Sequence, residues 1–230
     1  MNKQASPPLR TNRSFVIREG RFTDGQKKAF AKLWPKYGID AQQIDIFDAN
    51  KHFDKPQPLL LDIGFGSGDS LLSLAQQRPD INFLGLEVYR PGIGAVLRKI
   101  EQHEISNVRV MNVDAMQFIK AHLPADLLAG VMVWFPDPWP KTRHHKRRLV
   151  QETFLIELSR VMQDQAILHL ASDWQPYVKF MIARVEKVQS FTRLDTHENP
   201  LNLTRPPTRF EQRGLRKGHI VSDLIYRLNK

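Results

Sequence analysis

Cysteine is missing from all 230 residues. Disulfides, thiolate metal sites and cysteine nucleophiles are therefore excluded, which suits a reducing compartment. No apolar run reaches the roughly 18 residues that a membrane helix needs. The opening stretch M-N-K-Q-A-S-P-P-L-R-T-N-R has no apolar core of a secretory signal, so a cytoplasmic location is expected. Internal repeats and low-complexity tracts are also lacking, which argues against a solenoid. Acidic residues are in short supply: 24 Asp+Glu stand against 34 Lys+Arg, a net charge of +10. Such a surplus attracts polyanions. The apolar fraction of 41% and charged fraction of 25% are those of a globular protein. The length suits one sizeable core, a single α/β domain with extensions.

Residues 1–37 read as a basic N-terminal arm, polar up to about residue 14, with a short helix over Gln26–Trp34 stopped by Pro35 and Gly38. Residues 38–230 read as one domain. Strands are expected at Leu59–Ile63, Phe83–Glu87, Val108–Val113, Val131–Phe135 and Ala166–Ala171. Between and after them come helical stretches at Ser70–Gln77, Gly94–His103, Ala115–His122, Leu149–Met162 and Tyr177–Val188. Phe191–Leu194 and Ile220–Leu228 close the chain as apolar alternations. Short apolar strands alternating with amphipathic helices predict an α/β fold with a doubly wound, mostly parallel sheet. Its site belongs outside the carboxyl ends of the strands.

Residues 135–148 read F-P-D-P-W-P-K-T-R-H-H-K-R-R. Proline fixes φ and removes a backbone donor, so this stretch suits neither a helix interior nor a central strand. A stiff loop that presents Asp137 and Trp139 is expected. Lys141, Arg143, Lys146, Arg147 and Arg148 can hold phosphates or form a solvated charged surface. Trp139 either offers a face to a base or packs on the protein itself. His144 and His145 add polarity, and with no spaced carboxylate or histidine partners they do not suggest a metal.

After the first apolar strand stands L-L-L-D-I-G-F-G-S-G-D-S. Gly64, Gly66 and Gly68 allow a tight turn and close ligand approach at a helix entrance. The spacing is G-x-G-x-G, not the G-x-G-x-x-G of dinucleotide enzymes. Glu87 ends the next strand, where a carboxylate can accept ribose hydroxyls. Asp114 follows the third, within reach of an exocyclic amine, and Asp62 near the end of the first can face an ammonium group. Any of these acids could instead cap a helix. Together they fit a ligand with cationic and ribose ends and no phosphate. S-adenosylmethionine has that form; NAD, with its pyrophosphate, fits less well.

The 135–148 motif and D-I-G-F-G-S-G together resemble the bacterial tRNA (guanine-N7-)-methyltransferases of the TrmB family. R-S-F (13–15), G-R-F-T-D-G-Q (20–26), F-L-G-L-E (83–87), A-S-D-W (171–174) and T-R-F-E-Q-R-G (208–214) extend the resemblance over roughly residues 13–228. It implies a Rossmann-like S-adenosylmethionine-dependent methyltransferase that modifies N7 of guanosine 46 in the tRNA variable loop. Asp62, Glu87, Asp114 and Asp137 then correspond to cofactor-binding acids, with the glycine loop, and Asp137 also to the active-site residue. Lys141, Asp173 and Thr208, Arg209, Phe210 and Glu211 correspond to substrate-binding positions. Asp62 departs from the Glu of many members, and Trp174 from their Asn. The other readings are a different S-adenosylmethionine-dependent RNA methyltransferase and a non-catalytic Rossmann-like RNA-binding module.

Overall fold

The computed structural model describes residues 14–15, 23–195, 205–206, 211–212, 214, 218 and 220–230. Among these, eight strands form one sheet in the order β1-β4-β3-β2-β5-β6-β8-β7. The chain runs α1 (Asp24–Tyr37), β1 (Gly38–Ile39), β2 (Leu59–Ile63), α2 (Asp69–Gln77), β3 (Asn82–Glu87), α3 (Arg90–Gln102), β4 (Val108–Asn112) and α4 (Ala115–His122). It continues through β5 (Leu128–Trp134), α5 (Glu152–Val161), β6 (Met162–Ser172), α6 (Gln175–Val185), β7 (Phe191–Leu194) and β8 (Ser222–Leu228). The pairs from β1 to β6 are parallel, and β8 runs antiparallel between β6 and β7.

The strands are apolar on both sides because both sides are covered. Leu59, Leu61 and Ile63 of β2 join one apolar layer with Phe154, Leu158 and Met181 of α5 and α6. Leu60 of the same strand joins the other, with Leu71 of α2 and Val96 and Ile100 of α3. A strand buried on both faces loses the period-two alternation and reads as a continuous apolar run. That is how β2 stands in the sequence.

Several element boundaries shift from those expected, notably at α1 and at the junction of α5 and β6. The first helix runs from Asp24 to Tyr37 with Pro35 inside it. Thr23 and Gln26 form a capping box, Gln26 N donating to Thr23 Oγ1 at 3.3 Å and Thr23 N to Gln26 Oε1 at 3.0 Å. Near the last turn Pro35 forfeits one carbonyl partner, and Glu101 of α3 offsets this by holding both Lys36 (2.8 Å) and the Tyr37 hydroxyl. Ala29, Leu33 and Tyr37 enter the apolar layer beside α3, so this part of the basic arm docks on the sheet's helical cover. The α5–β6 boundary falls at Met162, which starts β6 and does not close α5.

Candidate active site

β2 and β5 are neighbouring parallel strands, Asp62 pairing with Met132. From β2 the chain winds outward to β3 and β4 on one side; from β5 it winds to β6 on the other. This is the topological switch point, where an open α/β sheet leaves a crevice beyond the strand ends. The glycine loop leaves β2 there and the proline loop leaves β5.

In the glycine loop, Gly64, Gly66 and Gly68 take φ of +80°, +57° and +69°. A Cβ on Gly68 would overlap Val96 of α3, so this position needs glycine twice over. A Cβ on Gly64 or Gly66 meets nothing within 4 Å, which leaves a cradle open beside the backbone. Lys99 of α3 fastens the loop from behind through the Ser67 carbonyl (3.2 Å) and an ion pair with Asp69.

The three acids hold three different situations. Glu87 accepts from Gly66 N (2.9 Å), Val88 N (2.7 Å) and Tyr89 N (2.9 Å). Its carboxylate is thus locked in position, with a further lone-pair direction left for a hydroxyl donor. Asp114 caps α4, Gln117 N donating to Oδ1 at 2.9 Å, so the capping role foreseen for it is real. It also lines a cavity of about 790 Å³, with Val88, Met116 and Leu149 on its walls and Lys120, Lys146 and Arg147 on its rim. Asp62 is only 3% exposed, and no hydrogen bond from a described residue offsets the burial of its carboxylate. Burial, and then the charge of Glu87, push its pKa up to about 7. An interior carboxyl without a partner is expensive to ionise, and a bound ammonium group removes that cost. Acid, cradle and clamped Glu87 together suit a ligand with an ammonium group and hydroxyl donors, as S-adenosylmethionine has.

The proline loop is bent at both ends of the Pro-Asp-Pro core. Phe135 (φ +54°) and Trp139 (φ +44°) lie in the left-handed region, two residues before and two after Asp137. Such residues cost about 1–3 kcal/mol each and persist only when their surroundings hold them. Arg148 supplies one hold: its Nε donates to the Pro138 carbonyl at 2.9 Å, and its guanidinium lies 4.9 and 4.6 Å from the Tyr177 and Phe180 rings of α6. Trp139 supplies another, donating Nε1–H to the Ser14 carbonyl at 3.0 Å. Asp137 itself is exposed at the tip of the bend.

The basic run therefore divides. Lys141, Arg143 and Lys146 are exposed on a 3-10 turn over Thr142–Arg147 and remain available to phosphates. Arg148 is 3% exposed and is a structural brace, contrary to its expected phosphate role. Arg147 lies 3.9 Å from the Trp139 ring centre, so one indole face is covered by the protein's own guanidinium. Burial of this kind leaves no mark in a run of like charges.

Gly214 packs against Asp173, where a Cβ would stand 2.6 Å from Oδ2. Glu211 is bound bidentately by Arg205 at 2.6 and 2.9 Å, a partner that sequence reading missed. Thr208, Arg209 and Phe210 lie outside the described residues.

The glycine cradle and switch-point crevice belong to a methyltransferase chain: the family model described as "Putative methyltransferase" matches residues 56–224. The fold is shared with the 16S rRNA methyltransferase KamB, at TM-score 0.54 and 15% identity over 93% of this chain and 97% of that one. In sequence, the chain is 44% identical over 224 residues to a tRNA (guanine-N(7)-)-methyltransferase of Halorhodospira halophila, covering 95% of this chain and 96% of the relative. It is 41% identical over 221 residues to the enzyme of that name from Escherichia coli (strain UTI89), covering 95% and 92%. This chain belongs to the tRNA (guanine-N7-)-methyltransferase family.

Proposed function

We propose that this protein transfers a methyl group from S-adenosylmethionine to N7 of guanosine 46 in the variable loop of tRNA. The observation that carries the reading is the exit of the glycine cradle and the Asp137 loop from adjacent strands, β2 and β5, at the switch point. The family relatives, each named for guanine-N7 methylation of tRNA, support the acceptor.

Guanine N7 is a lone-pair acceptor without a proton. When bound, S-adenosylmethionine supplies an electrophilic methyl on a sulfonium, so no general base is needed. Asp62, the Gly64–Gly68 cradle, Glu87 and Asp114 hold the donor. Asp137, presented by its two prolines, grips the guanine N–H edge and offsets the positive charge that grows on the purine as N7 is alkylated. The gain comes from in-line positioning and electrostatic complementarity. Asp173 and Glu211 face the acceptor side, with Thr208, Arg209 and Phe210 beside Glu211 in sequence. Lys141, Arg143 and Lys146 take backbone phosphates, which fix orientation and do not read sequence.

The test supplies labelled S-adenosylmethionine and unmodified tRNA, then maps the modified base by its cleavage chemistry. Label as 7-methylguanosine at position 46 is the expected result. Label on another base or atom would overturn the specific reading and leave a broader RNA methyltransferase; no label on any tRNA would overturn both.

A further inference from the structure

Beside the strand that feeds the proline loop lies a partly buried ionic array. Arg205, its side chain 8% exposed, donates to Asp223 at 2.7 and 3.0 Å and to Glu211 at 2.6 and 2.9 Å. Four of the guanidinium's five N–H groups are thus spent on two carboxylates. Asp223, at the start of β8, also accepts from His169 Nε2 of β6 at 2.7 Å. Burial alone would raise the Asp223 pKa, but the bonds from His169 and Arg205 outweigh it and hold the acid below the usual carboxylate range.

Both arms of this array end on β5 where it enters the loop. The Arg205 guanidinium lies 5.4 Å from the Phe135 ring centre. The His169 ring meets Trp134 edge-on, with centroids 5.3 Å apart. Trp134 is the last residue of β5, and Phe135 is the left-handed residue two positions before Asp137. Phe135 N also donates to the Ala171 carbonyl at 2.8 Å, so its backbone is tied to β6 while its ring is held from the C-terminal segment.

We propose that Arg205 is a positioning residue, whose fork on Asp223 and Glu211 sets the Phe135 bend and through it the aim of Asp137. The inference rests on reading the proline loop as the element that meets the acceptor. A planar guanidinium with fixed donors imposes one orientation on its partners; a lysine ammonium at the same place keeps the charge and loses the fork. Displacement of a reacting group by about 1 Å costs on the order of 10²-fold in rate.

The test measures the single-turnover rate, the Kd values for S-adenosylmethionine and tRNA, and the melting temperature of the full chain carrying Arg205→Lys. The expected result is a rate reduced about 10- to 100-fold, with Kd for S-adenosylmethionine within about twofold of wild type and Kd for tRNA, on whose side Glu211 stands, worsened by less than the rate, an effect larger in the transition state than in binding. Phe135→Leu, which leaves all four Arg205 bonds in place, should show the same split and serves if Arg205→Lys does not fold. Wild-type rates in Phe135→Leu, or Kd values that worsen as far as the rate, would overturn the proposal. Rates are read against wild type on whichever base it methylates, so an unexpected target in the wild-type control contradicts the functional reading and not this one.

Discussion

Arg148 donates its Nε to the carbonyl of Pro138 at 2.9 Å from a position only 3% exposed. The last cation of the basic run therefore braces the loop that precedes it. Its own pKa is lowered, by burial first, so the charge is kept in a poorly solvated place by the ring faces of Tyr177 and Phe180 and by that carbonyl.

Replacing the brace should unfasten the loop without changing phosphate capture. Arg148→Met is expected to cost about 1.5–3 kcal/mol of stability, the range for a lost hydrogen bond to a charged group. The slope of log K for tRNA against log salt should stay at the wild-type value. Lys141→Ala should lower that slope by about 1 while leaving stability within about 0.5 kcal/mol. Urea melts and binding titrations across salt check both. A reduced slope in Arg148→Met would return this arginine to the phosphate surface.

Asp62 predicts a pH signature in the free protein. Its folded pKa of about 7 lies above its unfolded value near 3.9, so the neutral acid is the form the fold favours. The contribution is fully present below about pH 4 and is lost as pH rises through 7, a swing of roughly 4 kcal/mol. Asp62→Asn should flatten this dependence, raise the melting temperature of the free protein near neutral pH, and weaken S-adenosylmethionine binding. An ammonium docking on Asp62 restores the ionised form, so wild type at pH 7 should release about half a proton on binding. Calorimetry in buffers of different ionisation enthalpy measures that release, and none should be seen with Asp62→Asn.

The glycines should separate folding from binding. Gly68→Ala drives a methyl into Val96 at φ +69° and is expected to lower stability by about 2 kcal/mol or more. Gly66→Ala has open space, so only its φ of +57° is charged against it, about 1–2 kcal/mol. Its methyl stands in the cradle, and KM for S-adenosylmethionine should rise more than in proportion to the lost stability. Melting curves and initial rates on both variants distinguish the effects.

The sequence pattern places β2, α4 and β7 to the residue, from their apolar positions and flanking turn residues. β1 escaped because two residues carry no period, and it exists only through its pairing with β4. The first helix outruns the expected Gln26–Trp34 because it carries Pro35 inside its last turn, and the Thr23–Gln26 capping box is the sequence signal for its start. At the site, glycines and acids at strand ends could be recognised because their chemistry is local. The roles of Arg148, Arg205 and His169 depend on hydrogen-bond partners 6 to 54 positions away, or on burial that the neighbouring residues do not encode. The Arg205 partner of Glu211 is near in sequence, but nothing in the sequence pattern marks the pair.

Under the proposed function, the exposed carboxylate of Asp137 makes the transfer fast. Single-turnover methylation of unmodified tRNA by Asp137→Ala, with tRNA affinity measured alongside, tests it most directly. A rate lowered by about 10²-fold or more with Kd for tRNA changed only a few-fold is the predicted outcome. Transfer at the wild-type rate would contradict the account.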